Sequence, residues 1–217
     1  MCNNYQITSQ REAVRQLALA LHDVGANEQY KTNVFPDYMA PIVRMQNGER
    51  VLANARWGLP SPAFALKGRN SDGGITNVRN TTSAHWKRWL GPENRCLVPF
   101  TSFAEPETLP DGKKQNAWFT IYKSEPIAFF AGVWVPQWKS VRKVKEGETV
   151  NDLYAFLTTE PNKDVGVIHP KAMPVILTTA EECETWLNAP TPEAMKLQRP
   201  LPDGALAIVA RGELKDG

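Results

Sequence analysis

The chain has 217 residues with seven tryptophans, 42% of its residues hydrophobic and 22% charged, and a formal net charge of +2, enough for one large or two small domains with a buried core. No apolar run approaches the ~18 residues of a membrane span, and the start of the chain lacks a charged-then-apolar leader, so membrane and secreted classes are excluded and a cytoplasmic protein is expected. Cys2, Cys96 and Cys183 are odd in number and far apart, which excludes a disulfide framework and CxxC-type chelation; no metal and no cofactor are expected, and Cys96 and Cys183 read as inert core thiols.

The chain opens "MCNNY". Methionine trimming tolerates a small second residue, so the mature chain would carry a free α-amine and a thiol on one residue, Cys2, at a frayed, exposed end. Such a 1,2-aminothiol reacts readily with aldehydes. Ser9 and Glu12 form a capping-box pattern ahead of Val14, Leu17, Ala18 and Leu21, with Gly25 as a stop, predicting an amphipathic helix over 9–24. "PIVRMQNGERVLANARWG" (41–58) reads as two strands joined at Asn47-Gly48, a strong hairpin signal. Further strands are predicted at "AWFTIY", "IAFFAGVWV", "LYAFLTT", "MPVILT" and "ALAIVA", and short helices at 83–90, 179–187 and 192–197, the last with proline in its first turn. The Pro- and Lys-rich stretches at 105–115 and 136–150 read as surface loops, with β patterning on both sides. The fold class is therefore α+β, one domain over 2–217 with a mainly antiparallel, barrel-like sheet and peripheral helices.

The small net charge hides a polarised chain. Residues 67–95 hold six basic side chains (Lys67, Arg69, Arg79, Lys87, Arg88, Arg95) against Asp72 and Glu93, whereas 146–193 hold nine acids against Lys163 and Lys171. Trp86 and Trp89 lie among the basic residues, and aromatics among cations suit stacked bases and phosphates. Four polar residues stand out. Asn77 and Arg79 in "GITNVRNTT" follow a glycine pair and can face one way. Glu105 follows the apolar "CLVPFTSFA", where partial desolvation raises an acid's pKa and makes it a proton donor near neutrality. His169 ends an apolar run before Pro170, which favours an extended backbone. Taken singly, these are a turn former, a surface charge, a loop carboxylate and a core histidine; together with Cys2 they suggest a site.

The ordered set Cys2, "ARWGLP" (55–60), "TNVR" (76–79), "RCLVPFTSFAEP" (95–106), "FFAGVW" (129–134), "FLTTEPN" (156–162) and "IHPKAMPVIL" (168–177) resembles the SRAP family, the SOS-response-associated peptidases understood as abasic-site processing proteins. The likeness runs from residue 2 to about 177 and weakens beyond Ala180. It implies the family's own α+β fold around a barrel-like core, and a protein that captures the aldehyde of an abasic site in single-stranded DNA through its N-terminal cysteine once Met1 is removed, with autocatalytic peptidase and lyase activity. Carried onto this sequence, the resemblance makes Cys2 the nucleophile, with Asn77, Glu105 and His169 as its active-site companions. Arg79 becomes a DNA-contacting arginine, Trp57 a groove tryptophan, Pro36 a loop proline of the groove and Thr158 a threonine near the reaction centre. The implied partner is abasic single-stranded DNA, met on damaged DNA at the nucleoid by a monomer with no obligate protein partner and no membrane. Asn3 and Asn4 depart from the family's Met-Cys-Gly-Arg start, and Glu105-Pro106 from its Glu-Trp.

An α-amine titrates at about 7.7–8.0 and is partly neutral at physiological pH, so Cys2 would attack an open-chain aldehyde through nitrogen, with Glu105 assisting sugar ring opening. The thiol would then close on the imine carbon as a five-membered thiazolidine, favoured by an effective concentration on the order of 10⁵ M or more. His169 would move protons or bind the opened sugar or its phosphate. Asn77 would hold the N-terminus or the sugar, Arg79 would grip phosphate, and Trp57 would offer a wedge or stacking face. Two other function classes fit the same residues: a thiol autoprotease using Cys2, Glu105 and His169, and a non-covalent single-strand-binding module.

Overall fold

The computed structural model describes residues 2–7, 11–25, 30–122 and 128–213. In chain order the first half contains β1 (Asn4–Gln6), α1 (Arg11–Leu17), β2 (His22–Asp23), β3 (Asn33–Val34), β4 (Met39–Gln46), β5 (Glu49–Trp57), α2 (Ala63–Leu66), β6 (Asn77–Val78), α3 (Ala84–Lys87), β7 (Arg95–Phe100) and β8 (Ser102–Thr108). The second half contains β9 (Lys114–Ile121), β10 (Ala128–Val141), β11 (Glu148–Thr159), α4 (Lys163–Gly166), β12 (Met173–Pro174), β13 (Ile176–Leu177), α5 (Ala180–Asn188), α6 (Thr191–Ala194) and β14 (Leu206–Arg211).

The β4–β5 hairpin turns at Asn47 and Gly48, with φ of 53° and 82°, the two left-handed residues a type I′ turn requires. From it a barrel closes in the order β5, β4, β7, β10, β11. Every pairing on this path is antiparallel except the closing one, where Leu153 and Tyr154 run parallel beside Arg56 and Trp57. A second sheet, β14-β9-β8-β1-β3, stands against it. Tyr5 of that sheet meets Trp57, Phe130 and Phe156 edge-on, and Phe130 stacks on Phe100 with centroids 3.8 Å apart. This aromatic packing joins the two sheets in one α+β architecture, as the sequence predicts. Among the described residues no helix is long and apolar enough to cross a membrane.

Three expectations are corrected. Ser9 and the start of the 9–24 helix lie outside the described residues, and α1 ends at Leu17. Beyond it Leu19 takes φ 52°, and Leu21 and Val24 donate their N–H groups to Arg50 and Leu52 of β5, so bonding along the sheet edge replaces the last helical turns. The stretch 136–150 is mostly strand: Trp138 to Val141 pair with Asn151 to Glu148 after a bulge at Pro136-Gln137. Pro136 has no N–H for a ladder and Gln137 takes φ 46°, which is how a strand absorbs a proline. Likewise β8 and β9 pair from Phe103–Phe119 to Thr108–Lys114, so Glu105 sits inside a strand and the loop shrinks to 109–113.

Candidate functional site

Strand β1 carries the N-terminus into the structure: Asn4, Tyr5 and Gln6 pair with Ala104, Phe103 and Ser102 of β8. Cys2 is therefore wholly buried, not at an exposed end. Its carbonyl accepts a hydrogen bond from Asn77 Nδ2 at 2.8 Å, and its thiol donates to the Asn4 carbonyl at 3.3 Å. Burial, and then the charge of Glu105, push the Cys2 thiol well above its ordinary pKa, so the resting group is S–H.

Glu105 is also wholly buried. Desolvation lifts its carboxyl from 4.5 to about 7, against the opposing pull of the chain's amino terminus and a hydrogen bond with the Cys2 backbone. That bond puts the Cys2 nitrogen next to the carboxyl. His169 Nδ1 lies 3.1 Å from Glu105 Oε2 and 3.1 Å from the Ala172 carbonyl oxygen. A carbonyl only accepts, so Nδ1 holds a proton and Nε2 is the nitrogen whose protonation varies. Burial lowers the pKa of His169 despite the hydrogen bond to Ala172, which favours the neutral ring.

Asn77 reaches the site because β6 pairs in parallel with β11, Asn77 beside Phe156. Its Nδ2 is shared between the Cys2 carbonyl and Thr76 Oγ1, while Oδ1 is buried without a partner. On β11 the alternate residues Tyr154, Phe156 and Thr158 share a face. The first two pack against Tyr5 and Trp57, which puts wholly buried Thr158 at the end of that row. Its hydroxyl also lacks a partner. A buried acceptor and a buried hydroxyl left unpaired in a native fold call for a reason, and a hydroxylated substrate would supply one. Among the described residues no group of three His, Cys, Asp or Glu side chains is placed to hold a metal ion.

The outer residues sort differently. Arg79 is exposed; it gives one 3.4 Å hydrogen bond to the Lys171 carbonyl and approaches Glu160 only to 3.7 Å, a pair of little strength that leaves it able to meet a phosphate. Pro36 is exposed, beside half-exposed Phe35. Trp57 is not a groove residue: it is wholly buried, stacked on Phe156, with Nε1 bound to the Thr76 carbonyl at 3.1 Å. It supports the strand bearing Asn77 and has no face for a base. Trp86 and Trp89 are buried too, and Arg95 is spent on the carbonyls of Leu90, Trp186 and Ala189. The exposed basic set is thus Lys67, Arg69, Arg79, Lys87 and Arg88. The sequence reading missed Phe64, which stands 84% exposed in α2 just before Lys67 and Arg69. Its signal was an unpatterned phenylalanine in "PSPAFALKGR".

A search of curated proteins finds no match. Solved structures match over nearly the whole chain. A protein from Bordetella bronchiseptica is 23% identical with a TM-score of 0.72, covering 99% of this chain and 100% of its own. One from Bacteroides thetaiotaomicron is 21% identical, TM-score 0.72, covering 95% and 90%, and a phage-related protein from Bordetella bronchiseptica is 22% identical, TM-score 0.64, covering 95% and 92%. At these identities the likeness is one of fold. The family model described as "SOS response associated peptidase (SRAP)" matches residues 1–210, so the chain belongs to the SRAP family, whose peptidase-like, DNA-damage-associated function it shares at that level.

Proposed function

We propose that this protein captures abasic sites in single-stranded DNA, forming a thiazolidine through Cys2 once Met1 has been removed. The observation that carries the reading is the seating of Cys2: its carbonyl is fixed by Asn77, its nitrogen lies against the Glu105 carboxyl, and burial lifts that carboxyl to about 7 while Met1 is still in place. A protonated Glu105 donates to the ring oxygen as the sugar opens, and the C1′ hydroxyl returns a proton to the carboxylate as it becomes the aldehyde oxygen. The neutral α-amine adds to C1′, the carbinolamine loses water to give an imine, and the thiol adds across C=N, its sulfur bonding to carbon and its proton passing to nitrogen. One water leaves overall. His169 Nε2 is the proton carrier suited to the carbinolamine step. The unpaired Asn77 Oδ1 and Thr158 Oγ1 receive the opened sugar's C4′ hydroxyl and the carbinolamine hydroxyl at C1′, Arg79 meets a phosphate, and exposed Phe64 takes the stacking role that buried Trp57 cannot.

A thiol protease would need Cys2 as thiolate, and both burial and Glu105 act against that; capture that starts at nitrogen does not need it. The test is a single-stranded oligonucleotide bearing one abasic site, mixed with protein whose loss of Met1 has been verified by mass, then run on a denaturing gel beside Cys2→Ala. A denaturation-resistant band that loses one water by intact mass and vanishes in the variant is expected. Verified protein that leaves the oligonucleotide unattached overturns the reading; peptide cleavage without such a band favours the protease, and binding lost on denaturation the non-covalent module.

A further inference from the structure

Arg142 directly follows β10 and is buried almost completely, yet the site described above does not use it. Its Nε donates to Asp37 Oδ1 at 3.0 Å, Nη1 to the Gly58 carbonyl at 3.1 Å and Nη2 to the Gly73 carbonyl at 3.2 Å. The slot it fills requires glycine on both walls. A Cβ at Gly58 would come within 2.3 Å of Nη2 and one at Gly74 within 2.4 Å, and both residues have positive φ (136° and 76°). The Asp37 carboxylate, on a left-handed residue with φ 72°, also takes Arg56 and Lys143. One guanidinium thus spans two segments: residues 35–38, with exposed Phe35 and Pro36, and residues 58–74, with Phe64, Lys67 and Arg69.

We propose that Arg142 is a positioning residue for nucleic-acid binding, a latch that acts through Asp37, Gly58 and Gly73 to hold the 35–38 and 58–74 segments as one rigid surface. The proposal rests on the nucleic-acid reading above and goes beyond it by naming what fixes the surface. Three donors aimed at three acceptors suit a planar guanidinium and not an ammonium. Asn77 is secured separately, since Trp57 Nε1 holds the Thr76 carbonyl and Leu59 and Ile75 bond each other's backbones. Asp37 and Tyr38 also meet Trp57 through backbone hydrogen bonds of 2.8 and 2.9 Å, so loss of the latch loosens both segments without parting them and spares the chemistry at Cys2.

The test compares wild type with Arg142→Met, Arg142→Lys and Asp37→Asn in full-length protein lacking Met1. Three quantities are read: amide hydrogen exchange, affinity for an undamaged single-stranded oligonucleotide, and the rate at which Cys2 captures glycolaldehyde. Expected are faster exchange in both segments together, weaker oligonucleotide binding by about tenfold, as when one base–aromatic stack is lost, and unchanged glycolaldehyde capture. Release of one segment alone, release of both without loss of affinity, or a parallel fall in glycolaldehyde capture overturns the latch. Arg142→Lys and Asp37→Asn keep the test decisive where Arg142→Met fails to fold. Wild type that binds the oligonucleotide but captures no abasic site sinks the proposed reaction and leaves the latch standing; wild type that binds no oligonucleotide overturns both.

Discussion

Glu105→Gln separates the two consequences of burying an acid. Lifting the carboxyl from 4.5 to about 7 corresponds to about 3 kcal/mol in favour of its neutral form, at about 1.36 kcal/mol per pH unit. Between those values the folded chain binds the proton more tightly than the unfolded chain, so stability falls as pH rises: the burden is absent below about 4.5 and complete above about 7. His169, with its pKa lowered, works the other way toward its ordinary 6.5, and because its Nδ1 lies 3.1 Å from Glu105 Oε2 its titration shifts with the carboxylate, so Glu105→Gln is compared with its parent in a His169→Gln background. Glutamine keeps the shape and cannot ionise. Urea unfolding should show Glu105→Gln gaining on that parent by about 3 kcal/mol from pH 4 to pH 8, while in the wild-type background abasic-site capture slows by about 10²-fold or more from loss of the proton donor. A stability difference that stays flat with pH, or that favours the variant more in acid, would refute the assignment of a buried acid poised near neutrality.

Cys2→Ser retains the α-amine and removes the sulfur, so it should give an imine that survives a denaturing gel only after borohydride reduction; an unreduced stable band would show that the thiol does not lock the product. Trp57→Ala should cost about 3–5 kcal/mol of stability as a core deletion, whereas Phe64→Ala should leave the melting temperature unchanged and weaken single-strand binding by about 1–3 kcal/mol. Thermal melts and fluorescence anisotropy on both variants decide the matter, and the reverse pattern would restore the groove role to Trp57. Arg79→Gln should reduce the slope of log Kd against log salt by about one phosphate contact; an unaltered slope removes Arg79 from the interface.

What the sequence disclosed follows from how local each signal is. The β4–β5 hairpin was legible because Asn47-Gly48 encodes its turn in two adjacent residues, and the raised pKa of Glu105 because an apolar run announces a dry environment. The 136–150 stretch was misread because Pro136 and the lysines look like a loop, and only the pairing of β10 with β11 shows that a bulge absorbs the proline. Trp86, Trp89 and Arg95 looked like an aromatic and basic interface, and the family resemblance added Trp57 as a groove residue. Their burial is decided by remote partners, Tyr154 beside Trp57 and the carbonyls of Trp186 and Ala189 around Arg95, which composition cannot register. Phe64 was passed over for the converse reason: a phenylalanine outside any apolar period hints at exposure, and only the packing around α2 decides it.

The burial of Cys2 alters the chemistry more than any of these. An exposed aminothiol would titrate freely and oxidise, and either nucleophile could lead. Enclosed between Asn77 and Glu105, the thiol is held as S–H by the low-dielectric surroundings and the neighbouring carboxyl, so on the proposed reading the order is imposed: nitrogen first, sulfur second, into a carbon already tethered. The same enclosure bears on the product. On the same reading, the packed rings of Tyr5, Trp57, Tyr154 and Phe156, in one buried core with Cys2, would limit water on that side of a thiazolidine, whose hydrolysis must pass back through the imine that water attacks. A site that slows water at that step lengthens the life of the crosslink, and the desolvation of Glu105 is the stability cost of the arrangement.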